Sequence, residues 1–179
     1  LSLRVLWETM SESDAVARAR RAAEQHDSFE RLDDGRYAVT TTAFDGEVVI
    51  DSDGGAAVFA VTVRVPMLDA VTEDHVAPVV EDGWFDTLAL RLEDVDGALR
   101  GTDDPDVTVE RDGEHAVLNV ELTDLDANRA AADAVAAVEY VEGTYVEGII
   151  PGYDYTEPVT HLIQRAASTG GGTKGGTPL

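Results

Sequence analysis

The chain contains no cysteine, and its cations are arginines apart from Lys174. The absence of cysteine excludes disulfides, thiolate zinc sites, iron–sulfur clusters and a cysteine nucleophile. Binding to nucleic acid needs a basic patch for the phosphates. The densest group of cations here is Arg18, Arg20 and Arg21, which lies among alanines on a predicted helix. We interpret this group as a solvated helix face, and we expect no direct nucleic-acid partner.

Long apolar runs are also absent. No stretch approaches the roughly 20 apolar residues of a membrane span, so we predict no membrane insertion. The residues before Met10 are too few for a signal peptide. We predict a non-native or dispensable extension over 1–9, a single α+β domain over 10–168 and a flexible glycine-rich tail over 169–179. A length of 179 residues fits one domain with a sizeable core.

Acidic residues are abundant. Asp and Glu number 36 against 13 Lys and Arg, which gives a net charge of −23. Self-repulsion at this charge disfavours a compact state in dilute buffer, whereas a Debye length of about 3 Å at 1 M salt suppresses it. This composition predicts a halophilic, cytoplasmic protein of the kind found in haloarchaea. The alternative is an acidic nucleic-acid mimic from a low-salt organism, although such a protein would usually keep its lysines.

The first half of the chain predicts a helix followed by a β-meander. Ser11 or Ser13 is predicted to cap the helix. Asp-Gly pairs between runs of β-branched residues predict turns between strands. The predicted helix and strands cover 12–26, 36–44, 47–51 and 57–65, with either a short strand or a turn at 29–32.

The second half predicts a helix, a hairpin and two further helices. A helix should begin either at a cap formed by Thr72 or, because Pro78 is awkward inside a helix, nearer Ala77 with Pro78 in its first position. A strand pair over 107–111 and 114–122 turns at Asp112-Gly113. The next helix covers about 125–142, capped by Asp124 or Asp126, and a last helix covers 157–167. The buried side of the 125–142 helix is predicted to comprise Leu125, Ala132, Val135 and Val138.

Together these elements predict an α+β fold with an antiparallel sheet of about five strands, in the order α-β-β-β-α-β-β-α-α. Helices should cover one face of the sheet, and the other face is either exposed or used for dimerisation. Over about residues 12–142, this order resembles the type III secretion chaperone-like or YbjN-like fold. That resemblance implies a protein-binding, often dimeric module.

A second resemblance rests on residues 140–155, YVEGTYVEGIIPGYDY, followed by Glu157-Pro158-Val159. This segment resembles an uncharacterised haloarchaeal family of unknown function, which supplies no catalytic residue to carry over.

Motifs for catalysis and metal binding are missing. His26, His75, His115 and His161 lack metal-ligand spacing, and neither a GxSxG elbow nor a phosphate-binding P-loop is present. Residues 51–55 begin like a calcium loop but lack its later ligands, so we interpret them as a hairpin turn. We therefore predict no catalytic residue, no cofactor and no metal site.

Four tyrosines lie within sixteen residues: Tyr140, Tyr145, Tyr153 and Tyr155. Tyrosines among glycines and prolines are typical of interfaces. One interpretation is an interaction surface or the lip of a small-molecule cleft. The other is a loop that its own aromatics pin to the sheet.

These observations favour a non-enzymatic protein-binding or regulatory module, although whether the protein is an enzyme stays open. Its partner would be a second copy in a homodimer or an unidentified protein. The alternative is a small-molecule-binding domain, or an enzyme with a site of dispersed carboxylates and tyrosines.

Overall fold

The computed structural model describes residues 3–170, with side chains from residue 14 onward. Helix α1 spans Leu3–Glu24. The prediction that this helix starts at residue 12 was therefore wrong, because Ser11 and Ser13 lie within it and cannot cap its first turn. Its buried side consists of short side chains, which let the helix approach the sheet closely: Ala15, Ala19, Ala22 and Ala23.

Six antiparallel strands form one sheet in the order β1-β2-β3-β4-β6-β5. They are β1 Phe29–Arg31, β2 Tyr37–Val39, β3 Asp45–Asp53, β4 Ala56–Pro66, β5 Asp106–Asp112 and β6 His115–Thr123. The α+β class is confirmed. The sheet has six strands rather than about five because the segment that begins at Phe29 is a strand, which pairs with β2 at the sheet edge.

Glycines make both tight hairpin turns. Between β3 and β4, Gly54 and Gly55 have φ values of 58° and 89°, the pattern of a type I′ turn. Between β5 and β6, Gly113 has a φ of 59°, and the turn residues are Gly113 and Glu114 rather than the predicted Asp112 and Gly113. A hairpin turn lies within residues 51–55 as predicted, but it comprises only Gly54 and Gly55, because residues 51–53 are the end of β3 and pair with β4.

The predicted strand over 36–44 was too long. Pairing ends at Val39, and the chain then bends so that Phe44 packs in the core. The Ala43 N–H donates to a Glu142 carboxylate oxygen at 2.6 Å, which anchors the bend to the helix above it. Gly46 lies in β3 and not in a turn. A Cβ on Gly46 would meet a Val138 methyl at 2.5 Å, so this glycine permits close helix–sheet contact.

One face of the sheet is buried under α1 and helix α3, which spans Ala127–Glu147. On the other face, Val49 is 43% exposed, and Asn119 and Glu121 face solvent. Inward-facing side chains alternate with outward-facing ones along β4 and β6. From Phe59 in β4 and from Ala116 in β6, every second residue is at most 1% exposed: Phe59, Val61, Val63, Val65, Ala116, Leu118, Val120 and Leu122. Burying one such large side chain contributes about 1.5–3 kcal/mol.

Asp126 caps α3, and it is one of the two residues that the sequence predicted for this role. Its carboxylate accepts from the backbone N–H groups of Asn128 and Arg129 at 3.0 and 3.1 Å. Because Leu125 precedes this cap, it lies outside the helix and is 98% exposed.

The buried side of α3 also differs from the prediction at Ala132, which is exposed. Val135 and Val138 are buried as predicted, beside a run of small residues that includes Ala130, Ala134 and Ala137. Leu125 and Ala132 were therefore wrong as core residues. The helix also extends five residues beyond the predicted end at 142, which makes Tyr145 helical rather than part of an irregular segment.

Helix α2 spans Pro78–Leu92 and begins with proline, the second of the two predicted starts. A buried carboxylate fixes its position. Glu81 is 7% exposed, and it accepts from the Arg111 guanidinium of β5 at 2.5 Å and from the Asp69 N–H at 2.9 Å. These bonds satisfy a charge that would otherwise be costly to bury, and they tie α2 to the sheet edge.

Helix α4 spans Val159–Gly170. The predicted flexible tail over 169–179 overlaps the end of this helix by two residues, and its remainder lies outside the described residues. Within 3–170, no helix combines the length and apolar character needed to cross a membrane.

Candidate functional site

The tyrosines predicted to form a surface occupy different environments. Tyr145 is 0% exposed, and its ring makes edge contacts with Phe44 at 4.7 Å and Trp84 at 5.5 Å between centroids. Burial raises the pKa of its hydroxyl far above the ordinary value. A residue this enclosed cannot contact a partner, so the prediction of a surface role was wrong for Tyr145.

Two other tyrosines use their hydroxyls within the chain. Tyr140 donates to the Arg91 carbonyl at 2.8 Å, and Tyr155 donates to the Ile150 carbonyl at 2.7 Å. Burial also raises the pKa of Tyr155. The Tyr153 ring packs against Tyr155 at 6.4 Å, and both rings border a shallow depression of about 470 Å³.

Backbone hydrogen bonds hold the segment that carries Tyr153 and Tyr155. The Glu73 N–H donates to the Asp154 carbonyl at 2.9 Å, and the Thr156 N–H donates to the Val71 carbonyl at 2.8 Å. These contacts support the interpretation of a loop pinned to the body of the protein.

A deeper groove separates α2 from the C-terminal half of α3. Its volume is about 460 Å³, within the range of ligand pockets. The two helices run antiparallel, because Tyr140 contacts the end of α2 while Gly148, just after α3, lies beside Trp84. The α2 wall has helical spacing and includes Val80, Trp84, Leu88 and Arg91, and the opposite wall includes Thr144, Glu147, Gly148 and Ile150.

Trp84 lines the groove with a polar group that lacks a partner. The residue is 5% exposed, and its indole N–H has no hydrogen-bond acceptor among the described residues. A Cβ built on Gly148 would lie 3.7 Å from the indole nitrogen. Gly148 adds no side chain over the indole nitrogen, but the nitrogen itself is buried, so a ligand oxygen would reach it from the groove after a small displacement of the lining. An unsatisfied buried donor costs about 1–3 kcal/mol, which a bound acceptor would recover.

The groove carries one cationic and one anionic residue. Arg91 lies at the end of α2 and makes no ion pair within the described chain. Glu147 lies on the opposite wall next to Gly148, which is beside Trp84 in the middle of α2. At the start of α2, Val79 is 79% exposed at the rim. The groove therefore combines apolar side chains with a cation at one end and an anion along the opposite wall.

A second groove, of about 540 Å³, lies between α1 and the start of α3 and includes Arg18, Arg21 and Arg129. Asp124 accepts from the Arg129 guanidinium at 2.5 and 2.7 Å, and this bond lowers the pKa of the Asp124 carboxyl. The carboxylate of Asp126 also borders the groove. These acids offset much of the positive charge, and Arg18 and Arg21 are exposed, as predicted for a solvated helix face.

Across the described residues, no three His, Asp or Glu side chains converge in a manner suited to a metal ion. The side chains that line the α2–α3 groove are mostly apolar. Among the described residues that line this groove, Glu147 alone has a carboxylate. The groove can provide an apolar surface, an indole donor and a guanidinium, which are groups for binding.

Val80, Trp84 and Leu88 have the spacing of an apolar stripe on one helix, and that spacing does not reveal the groove that they border. A tryptophan next to a glycine was the available signal, but the opposite wall comes from residues 60 positions away in the chain, so spacing could not reveal it.

Comparison with known proteins identifies the family. The chain belongs to the Family of unknown function (DUF5813), whose model matches residues 24–165. This match includes every element that forms the α2–α3 groove. No curated protein and no solved structure matches the chain at a significant level.

Proposed function

We propose that this member of the family is a non-enzymatic protein-binding module, which holds a short apolar segment of a partner protein in the α2–α3 groove. The observation that carries the proposal is the buried indole N–H of Trp84, which has no acceptor among residues 14–170 and lies beside Gly148. A peptide backbone supplies carbonyl acceptors at regular intervals, and an apolar segment would cover the exposed valine at the rim.

The length of the groove favours a peptide. Val79 and Arg91 both border it, and their separation of twelve residues corresponds to about 18 Å along a helix axis. An extended chain covers that distance in about five or six residues. A small molecule is the second candidate, because the volume of about 460 Å³ is large enough for one.

Two exposed glycines allow a matched test. Gly83 borders the groove and Gly143 lies on α3 away from it, and a Cβ at either position meets nothing within 4 Å. Gly83→Leu and Gly143→Leu should therefore both preserve the fold and strengthen a helix by a similar amount, roughly 1 kcal/mol. Only the side chain at position 83 would obstruct the groove.

The experiment is selection of peptides from a displayed random 12-residue library on the wild-type protein, followed by titration of the enriched peptides. We expect these peptides to bind wild type and Gly143→Leu equally, and Gly83→Leu at least about tenfold more weakly. Equal binding to both variants, or no enrichment, would refute the proposal. A different outcome would favour the small-molecule candidate: no peptide is enriched, and a metabolite raises the unfolding temperature of wild type but not of Gly83→Leu.

We further propose that Tyr153 contributes to self-association as a homodimer. Its ring is half-buried and stacks edge-on against Tyr155, next to the exposed residues Glu73 and Asp154. Light scattering after gel filtration should give a dimer mass for wild type and a monomer mass for Tyr153→Ala. A wild-type monomer at every salt concentration would exclude this surface as a dimer interface.

The net charge of −23 supports a further proposal, that the protein works in a cytoplasm with concentrated salt, as in haloarchaea. Salt at about 1 M shortens the Debye length to roughly 3 Å and suppresses repulsion among surface carboxylates. The thermal unfolding midpoint should therefore rise as KCl increases from about 0.1 M to about 3 M. A midpoint that is independent of KCl would contradict salt adaptation.

A further inference from the structure

We infer that the α2–α3 groove selects partner segments that carry a carboxylate. Arg91 binds this carboxylate, and the Trp84 indole binds a backbone carbonyl of the same segment, about three residues away from the carboxylate. This inference rests on the proposed function, since it names the chemistry of the segment that the groove would hold. It differs from that proposal in assigning specificity to a charged residue at one end of the groove.

The spacing of Trp84 and Arg91 determines the spacing of the ligand groups. They lie seven positions apart on α2 and border the same groove, a separation of about two helical turns or 10 Å along the axis. Leu88 lies between them on the same wall. An extended peptide advances about 3.3 Å per residue. A carbonyl at Trp84 and a carboxylate at Arg91 are therefore about three residues apart.

Arg91 is available for a ligand because its charge is not used within the described chain. The sequence has 36 acidic residues, yet none of those described lies within 4.0 Å of this guanidinium. The backbone at Arg91 is held by the hydroxyl of Tyr140, which donates to its carbonyl at 2.8 Å. A guanidinium on a fixed helix end can bind a carboxylate through two parallel hydrogen bonds.

Glu147 limits where the segment can carry an acidic group. It borders the groove next to Gly148, which lies beside Trp84. An acidic group of the ligand at that point would meet a like charge, which destabilises the complex. The segment should therefore place its acidic residue at the Arg91 end and an uncharged or basic residue where it passes Trp84.

The test compares charge reversal at two exposed arginines. Arg91→Glu reverses the charge in the groove, and Arg165→Glu makes the same change on α4, where the arginine is also exposed and lacks an ion pair in the described chain. The probes are the peptides enriched on wild type, each synthesised with its acidic residue and with lysine in its place. The sequence has two tryptophans, so a Trp7→Phe background makes Trp84 fluorescence the readout.

We expect the enriched peptides to share Asp or Glu about three residues from an apolar position. Arg91→Glu should weaken their binding about tenfold to a hundredfold, as for loss of a charge-assisted hydrogen bond. Arg165→Glu should change it by no more than about twofold, because remote exposed charges are screened. The lysine-substituted peptides should bind Arg91→Glu more tightly than they bind wild type.

The outcomes separate this inference from the proposed function. One outcome is that the peptides bind wild type and lose affinity for Gly83→Leu, but bind Arg91→Glu and Arg165→Glu equally. This outcome would refute carboxylate selection and leave the groove as a peptide site. Enriched peptides without a shared acidic position would refute it as well. Failure of any peptide to bind in the groove would overturn both proposals.

Discussion

Tyr145→Phe is expected to raise the free energy of unfolding by about 1 kcal/mol. The side chain is 0% exposed, and its hydroxyl has no hydrogen-bond partner among the described residues. An unsatisfied buried hydroxyl costs about 1–3 kcal/mol. The substitution removes that cost and leaves a void of one oxygen atom, on the order of 10 Å³, which costs about 0.2 kcal/mol. The ring contacts with Phe44 and Trp84 remain.

Tyr155→Phe is the matched control, because its hydroxyl donates to a carbonyl at 2.7 Å. Removing this bond should lower the free energy of unfolding by about 0.5–1.5 kcal/mol. Urea unfolding followed by circular dichroism, at one fixed KCl concentration, measures both changes. In thermal unfolding, 1 kcal/mol corresponds to a shift of about 2–4 °C for a domain of this size. If Tyr145→Phe destabilises the protein as Tyr155→Phe does, the Tyr145 hydroxyl has a partner and the reasoning fails.

Gly46→Ala should lower the free energy of unfolding by about 1–3 kcal/mol, because the new Cβ would lie 2.5 Å from a side chain of α3. An unchanged midpoint of urea unfolding would show that the helix moves away without cost. Gly83→Ala and Gly143→Ala should each raise it by about 1 kcal/mol, since neither Cβ meets an atom within 4 Å and alanine favours a helix; a loss of stability would contradict the helical assignment. Asp124→Asn should destabilise the protein at about pH 7, and this effect should shrink as the pH falls below about 3.9. The hydrogen bond from Arg129 lowers the pKa of Asp124 in the folded state, so its contribution is complete above the unfolded pKa of about 3.9 and is lost as pH falls through the folded pKa. A difference that does not depend on pH, measured by urea unfolding at several pH values, would rule out this ion pair as its source.

Local chemistry was sufficient for most of the secondary structure. Pro78 marked the start of α2 because its fixed φ and missing N–H suit the first helical position. Asp126 marked the start of α3 because its carboxylate can accept from free backbone N–H groups. The alternation in β4 and β6 determined which residues face the core.

Errors arose where distant contacts override local preference. The β-branched run at 40–44 leaves the sheet because Phe44 packs against Tyr145, about a hundred positions away. Asp45-Gly46 has turn composition, yet the glycine serves the close approach of α3 to the sheet. The tyrosine cluster is close in sequence, but the helix that extends to Glu147 directs Tyr145 into the core.

Composition and short-range patterns were enough to establish the charge, the α+β class, the strand alternation and the absence of cysteine chemistry, because each depends on residue content or on neighbours a few residues apart. Tertiary structure alone decided which buried polar groups lack partners and where α2 and α3 leave a groove. Those properties depend on two helices whose nearest wall residues, Arg91 and Thr144, are 53 positions apart in the chain. Their meeting is determined by the packing of the whole sheet, which no local pattern encodes.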